Sequence, residues 1–520
     1  MPMPALRFGA ASPTVTTRPA PRWADSTNAG RTPRPVGSGR WDRWGDANPT
    51  RHFPGSRSQP AMAQHTLVHF VRRVKTSARV RDYLTVWVVV LLMSGQGFRH
   101  LLGLPAYGVL CALTVAAVAV AFHSTRRKLD VPFLIAAFVG LAALSVLWSA
   151  TRTVSALAVV VLLVTTYIAV ATVRGASSGR FLELLFRGFQ ISLFLGLAFE
   201  VAVALIIRKP VLPLFRDLSS IEGVDDGVAA IEWSENLLLS GGPIQGFVGN
   251  RNPFGTIALF AAVLAVVLWL EGRIKRADAW VTVAAASAVH LLTLSATVTV
   301  SILFLGGLMI AAFAIRAVRE PLKRPLSFMT LAFTAVAGVL TIKFRDEIFG
   351  MVDRGPDATN RTAIWEAVVQ FAAQRPEGWG YVGYWPVWEH PYSSISEEAN
   401  KFAAHSHNAY LDAWLQLGLV GLALLLVMVV VLFGSMWRLV ERAGRTDTYI
   451  PIAWALLTAA LVLQALTESR LLVEGGWFLL VALYCTGPQL FKLTIVDPEL
   501  VHSAAAIEAP PGPNPSEPRE

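Results

Sequence analysis

Long apolar runs recur through most of this 520-residue chain, with short clusters of Lys and Arg between them. Such runs leave little choice of fold. A helix of roughly 20 apolar residues crosses about 30 Å of hydrocarbon and satisfies its own backbone N–H and C=O groups, which lipid cannot do. The runs fall at Tyr83–Phe98, Pro105–Phe122, Val131–Trp148, Val154–Val173, Phe189–Ile207, Phe254–Leu270, Trp280–Leu294, Val298–Ile315, Leu326–Ile342, Trp414–Phe433, Ile450–Leu466 and Gly476–Leu490. They predict an all-α integral membrane protein with about twelve transmembrane helices, the seventh and eighth near enough to form one bent hairpin. Hydrophobic residues make up 54% of the chain and charged ones 15%, a balance that excludes an ordinary soluble domain.

The net charge of +10 does not point to nucleic acid, because the basic residues sit in short loops. Arg126, Arg127 and Lys128 form one cluster, and Arg174, Arg180 and Arg187 the next. Further along come Arg273, Lys275 and Arg276, then Arg316, Arg319, Lys323 and Arg324, then Arg438, Arg442 and Arg445. The alternate short loops hold only Arg99, Arg152 and Arg470. Retention of basic loops in the cytoplasm therefore predicts an inner-membrane protein with both termini inside. The cluster Arg72, Arg73, Lys75, Arg79 and Arg81 before the first run agrees. Two long connections, Arg208–Pro253 and Lys343–Ala413, are then expected outside: a smaller loop between helices 5 and 6 and a large one between helices 9 and 10.

Residues 1–70 mix Pro, Arg, Gly, Ser and Thr without hydrophobic periodicity, so disorder is expected there, as in the tail 496–520. Met62 offers a shorter start. Cys111 and Cys485 both lie within apolar runs, which argues against a disulfide framework or a zinc site. No Walker A loop, dinucleotide glycine fingerprint or His-Glu-x-x-His motif is present, so no nucleotide or other cofactor is expected. The acids of the first outer loop, Asp217, Glu222, Asp225, Asp226, Glu232 and Glu235, are dispersed like a solvated surface, and metal-independent chemistry is the expectation.

The second outer loop, 343–413, is the informative one. Arg361 to Gln374 reads as an amphipathic helix with Ile364, Trp365, Val368, Val369, Phe371 and Ala372 on one face, ended by Pro376 and Gly378. Trp379, Tyr381, Tyr384, Trp385, Trp388 and Tyr392 follow closely. Two readings fit this density: an aromatic belt at the membrane interface, or a platform of flat faces for sugar rings.

Three stretches carry a resemblance. GFVGNRNPFG (Gly246–Gly255), RTAIWEAVVQFAAQRPEGWG (Arg361–Gly380) and HSHNAYLDAWLQLGLVGL (His405–Leu422) resemble, in order and placement, the signature regions of the bacterial O-antigen ligase and polymerase family. The ligase-like region runs from about 246 to 434 within a polytopic domain, 83–490. Many ligases have a basic residue near LTLSATVTV, where this chain has Ser295, Ala296 and Thr297, so ligase and polymerase both stay open. The resemblance implies glycan transfer from a polyprenyl-diphosphate carrier to an acceptor hydroxyl of a glycan, lipid or wall polymer, at the outer face of the membrane. It implies His407 as the base that takes the acceptor's proton, with Asn408 orienting it or binding substrate. Arg361, then Arg251, would meet the growing charge of the diphosphate, since guanidinium binds phosphate oxygens bidentately. Asn252, Trp365, Trp379 and Trp385 complete the implied substrate-binding set.

Other readings run beside these. From spacing alone, His407 and Asn408 read as a helix cap, and Arg251 as an anchor in headgroups. His405 is an alternative base. Glu200 and His290 lie within apolar runs, where an ionisable group marks a functional or paired site. Glu468 and Arg470 read as interfacial charges, although a carboxylate there could face the same cavity. A secondary transporter, or a non-catalytic membrane component of polysaccharide export, would share the topology. Transporters, however, usually show two similar halves, and none is visible here.

Overall fold

The computed structural model describes residues 77–123, 131–215, 232–343, 357–399, 403–443 and 448–495, all within one compact unit, Met62–Glu520. The expectations for residues 1–70, for 496–520, for Met62, for Arg72 to Lys75, for Arg126 to Lys128, for Arg445, and for Asp217, Glu222, Asp225 and Asp226 lie outside the described residues. In chain order the helices are α1 (Ala78–Met93), α2 (Gly95–Phe122), α3 (Phe133–Ser145), α4 (Arg152–Arg174), α5 (Ser178–Ala202), α6 (Arg251–Leu270) and α7 (Arg276–Thr293). Then follow α8 (Ala296–Ala317), α9 (Glu320–Lys343), α10 (Asp357–Gln374), α11 (Tyr392–Glu398), α12 (Ala409–Arg442), α13 (Ile450–Ala465) and α14 (Glu474–Ile495). Among the described residues there is no strand, only an isolated antiparallel bridge between Val211 and Ser234.

The apolar runs fall on α1 to α9 and α12 to α14, with one recut. The run Tyr83–Phe98 straddles Ser94, where α1 ends, and α2 bends at Gly103 (φ 73°) two residues before Pro105. The seventh and eighth runs form two helices that meet at Leu294 (φ 48°) and Ser295. Local chemistry sets several starts: Ser177, Asn250, Ser295 and Asn408 each accept a hydrogen bond from a first-turn backbone N–H. Among the described residues, six helices are long and apolar enough to cross a membrane: Gly95–Phe122, Arg152–Arg174, Ser178–Ile207, Arg251–Leu270, Ala296–Ala317 and Ala409–Arg442. This is a multi-pass membrane protein.

Helices α13 and α14 are buried on nearly every side and form the centre, against α4, α6, α8 and α12. Lipid offers helices no hydrophobic drive to associate, so close approach of small residues matters. A Cβ on Gly196 would lie 2.3 Å from Phe254, which shows how tightly α5 meets α6.

Hydrogen bonds and ion pairs sort the connections into two ends. At one end Arg180 pairs with Asp82, Arg273 with Glu183, Arg187 with Asp278, and Glu271 accepts from Thr448 and Tyr449. At the other end Arg99 meets Glu474, Arg470 donates to Gln96, Tyr381 N–H donates to Ser145, and Asn252 donates to Glu468. The loops of the second group are the ones the Lys/Arg alternation placed together.

The segment between α9 and α12 is anchored rather than draped. Ile364, Ala367, Val368 and Ala372 of α10 bury against Trp385, Tyr392, Ile395 and Leu415, whereas Val369, expected on that face, is exposed. After α10 the chain passes through a break in α12 at Gly418 (φ 67°). There Pro376 C=O accepts from Leu419 N–H, Trp379 N–H donates to Leu415 C=O, and Gly380 N–H donates to Gln416 C=O. A Cβ on Gly418 would lie 1.9 Å from the Pro376 oxygen, and one on Gly378 (φ 79°) 2.4 Å from the Gly418 nitrogen. Gly378 of Pro-x-Gly-x-Gly and Gly418 of Gly-x-x-Gly therefore serve one junction, where passing backbone replaces the hydrogen bonds the broken helix lacks.

Candidate active site

A carboxylate is the hub of the site. Glu468 lies in the turn between α13 and α14 with only 2% of its side chain exposed, so it is not the surface charge its position at the end of an apolar run suggests. Its Oε1 accepts from Asn252 Nδ2 at 2.9 Å and lies 3.6 Å from an Arg361 guanidinium nitrogen. Its Oε2 lies 3.9 Å from His407 Nδ1. Burial by itself favours the protonated acid, but the neighbouring imidazoles and the Arg361 guanidinium outweigh it and hold the carboxyl far below the usual carboxylate range. Each of the three sequence motifs contributes one residue to this carboxylate: Asn252, Arg361 and His407.

The neighbours are held in turn. Ser295 donates to Asn252 Oδ1 at 2.8 Å, so both ends of the Asn252 amide are engaged. His407 adopts a left-handed backbone (φ 53°), rare for a non-glycine residue. Its N–H donates to His405 Nδ1 at 3.1 Å, and the two imidazoles stand 3.9 Å apart. Trp365 Nε1 donates to the Ser406 carbonyl at 2.8 Å, and Ser406 Oγ donates to the Asn408 carbonyl at 2.6 Å. Asn408 Oδ1 accepts from Tyr410 and Leu411 N–H, capping α12 as spacing alone suggested. His407 Nδ1 is buried and makes no hydrogen bond among the described residues.

The remaining expected residues separate by burial. Arg251 is half-buried in the first turn of α6, beside Asn252. Trp385 is 5% exposed, lies 5.3 Å from the Tyr392 ring at a 41° tilt and donates Nε1 to Asp412 at 2.7 Å, so its faces are covered by protein and cannot receive a sugar. Trp379 is half-buried, donates to the Phe371 carbonyl and carries Arg375 over its ring. Tyr381 and Tyr392 are buried, which leaves Tyr384 and Trp388 as the exposed members of the aromatic set. A single stacking platform is thus not formed, because half of these rings build the loop's own core. Glu200 is a paired site: it accepts from Ser234 Oγ and from the N–H groups of Gln245 and Gly246, fixing the start of the first motif. His290 is half-buried in α7, apart from these contacts.

Glu468 carried a sequence signal that was undervalued, a carboxylate two residues from Arg470 where an apolar run ends. Asp412, Gln416 and Ser469 gave none. Asp412 is fully buried, and Gln416 Oε1 accepts from the N–H groups of Val382 and Gly383, so this pair ties the segment after α10 to α12. A cavity lies beside the site between α1, α6, α13 and α14, with Arg470, Glu474 and Gln464 above Ile257, Phe260, Leu461 and Leu479.

His405, His407 and Glu468 offer ligand atoms within 4.8 Å of one another, near enough for a cation by distance. Two features oppose one: the His405 Nδ1 lone pair is engaged by His407 N–H, and Arg361 already faces the carboxylate. The arrangement suits proton acceptance at an imidazole backed by a carboxylate, with a guanidinium alongside for an anionic group.

Comparison with known proteins agrees with the three motifs. Residues 246–426 match the family model described as O-antigen ligase. The chain is also 28% identical over 264 residues to the exopolysaccharide production protein ExoQ of Rhizobium meliloti (strain 1021), covering 46% of this chain and 58% of the relative. This chain thus spans a little over half the length of the relative it matches. The match takes in Asn252, Arg361 and His407, whereas Glu468 lies beyond it.

Proposed function

We propose that this protein transfers a glycan from a polyprenyl-diphosphate carrier to an acceptor hydroxyl during polysaccharide biosynthesis, at the outer face of the cytoplasmic membrane. The convergence of Asn252, Arg361 and His407 on buried Glu468 carries this reading. In the reaction the acceptor oxygen attacks the anomeric carbon of the donor sugar and gives its proton to His407. The bond from that carbon to the diphosphate oxygen breaks, and the polyprenyl diphosphate leaves with the electron pair. Arg361, with Arg251, meets the charge that develops on the leaving group. Glu468 faces the imidazolium as it forms, so positive charge arises beside a fixed negative one.

The apolar runs support about twelve membrane crossings, and the alternation of basic loops supports a cytoplasmic placement of both termini. The Arg180, Arg187 and Arg273 end then faces the cytoplasm, and the Glu468 end faces outward, where a flipped lipid-linked donor arrives. Neither two similar halves nor a polar site at mid-membrane supports the transporter alternative. The test is reconstitution in liposomes with a defined polyprenyl-diphosphate oligosaccharide and an acceptor glycan. Glycosylated acceptor and free polyprenyl diphosphate are expected in equal amounts, and release of neither would refute the proposal.

A further inference from the structure

The site holds two imidazoles in contact, and the base needs only one. Their surroundings differ. His405 Nδ1 accepts the backbone N–H of His407, and a backbone amide can only donate, so the His405 lone pair is on Nδ1 and its proton on Nε2. The contact runs from a side-chain acceptor to the N–H two residues on, the pattern by which Asn and Asp build an Asx-turn. It closes around Ser406 and pins the amide that leads into His407, whose left-handed backbone is costly for a residue with a side chain. The rings stand 3.9 Å apart and tilted by 51°, so the first limits how far the second can rotate. His407 Nδ1 is left without a hydrogen bond, directed at Glu468 Oε2.

We propose that His405 is a positioning residue, an Asx-like acceptor that holds His407 in its left-handed turn with the ring toward Glu468, and that it takes no proton from the acceptor. This deepens the reading of His407 as the base and rests on it. The groups facing His405 are His407, Glu468, Arg470 and Arg361. Burial, together with His407 and the two arginines, outweighs the single carboxylate and pushes the His405 imidazole down to about 3. His405 therefore stays neutral wherever the protein works, with its tautomer fixed by the hydrogen bond it must keep.

Two substitutions separate this role from that of a base. His405→Asn keeps an acceptor for the His407 N–H but carries no imidazole, and His405→Leu keeps neither. With the full chain in liposomes, the Asn variant is expected to turn over within roughly tenfold of wild type, and the Leu variant to fall by roughly 10²-fold, the scale of a misplaced catalytic group. A second readout needs no transfer activity: the thermal midpoint of the purified chain between about pH 6.5 and 4.5. An unfolded histidine takes up a proton near pH 6.5, while folded His405 stays neutral to about 3. Between these values the unfolded chain binds the extra proton, so stability falls on acidification. His405→Asn should therefore flatten that dependence.

An Asn variant as slow as the Leu variant, a Leu variant as fast as wild type, or an unchanged pH dependence of the midpoint would each overturn the proposal. If wild type transfers no glycan, the functional reading fails, and the midpoint measurement still decides the placement of His405.

Discussion

The basic end of the helical bundle and the Glu468 site handle charge in opposite ways. At the basic end, opposite charges meet in short, partly exposed pairs: Arg180 with Asp82 at 2.8 Å, Arg187 with Asp278 at 2.7 Å and Arg273 with Glu183 at 2.6 Å. Each partner there is satisfied by the other. At that site Glu468 is buried, yet Arg361 and His407 stop at 3.6 and 3.9 Å, beyond hydrogen-bond distance, and among the described residues only the Asn252 side chain hydrogen-bonds its carboxylate. Exposed pairs pin helix ends at little gain, whereas a buried charge must be surrounded or given up. A carboxylate kept ionised without a closed pair leaves Arg361 and His407 with capacity for a third partner. That is the arrangement expected where a substrate enters.

The comparison breaks first on sidedness, where the expected effect is all or none. Cysteine at Glu397, exposed on α11, should react with an impermeant maleimide in spheroplasts, and cysteine at Lys275, before α7, only after permeabilisation. The reverse pattern would put the site on the cytoplasmic side and remove the proposed donor.

Neutralising the hub comes next. Glu468→Gln keeps the shape and the Asn252 contact but loses the charge, and should lower transfer in the liposome assay by roughly 10²–10³-fold. Arg361→Lys should cost about 2–4 kcal/mol of transition-state stabilisation, because an ammonium cannot reproduce the guanidinium fork; a fully active Lys variant would demote Arg361 to a generic charge. At the basic end Asp82→Asn should shift stability by about 0–1 kcal/mol and leave transfer intact, as befits an exposed pair. A large loss of transfer from that change would erase the contrast between the ends.

How much of this was legible in the sequence follows from the range of each interaction. Helices are encoded locally, so the apolar runs located them, and Asn408 read as the cap it forms. The grouping of loops into two ends was also legible, because basic residues mark it repeatedly. Burial of individual aromatics was not: Trp385 and Trp388 are three residues apart, yet one is 5% and the other 74% exposed, since only the path through the α12 break decides which side each ring faces. The enclosure of Glu468 is hidden from the sequence for the same reason. Its partners lie 61 to 216 residues away, and nothing local distinguishes a carboxylate that meets water from one enclosed by three distant segments. Ser295, in the stretch LTLSATVTV, donates the bond to Asn252 that steadies the hub.

The most direct test of the central claim is turnover of His407→Gln in the reconstituted transfer assay. Glutamine keeps the approximate size and hydrogen-bonding capacity of histidine but cannot take up a proton at neutral pH. Should His407 accept the acceptor's proton, the variant is predicted to lose roughly 10²–10⁴-fold in turnover while its affinity for the lipid-linked donor stays close to that of wild type. Near-normal turnover in the Gln variant would contradict the account and return His407 to the role of a helix-start residue.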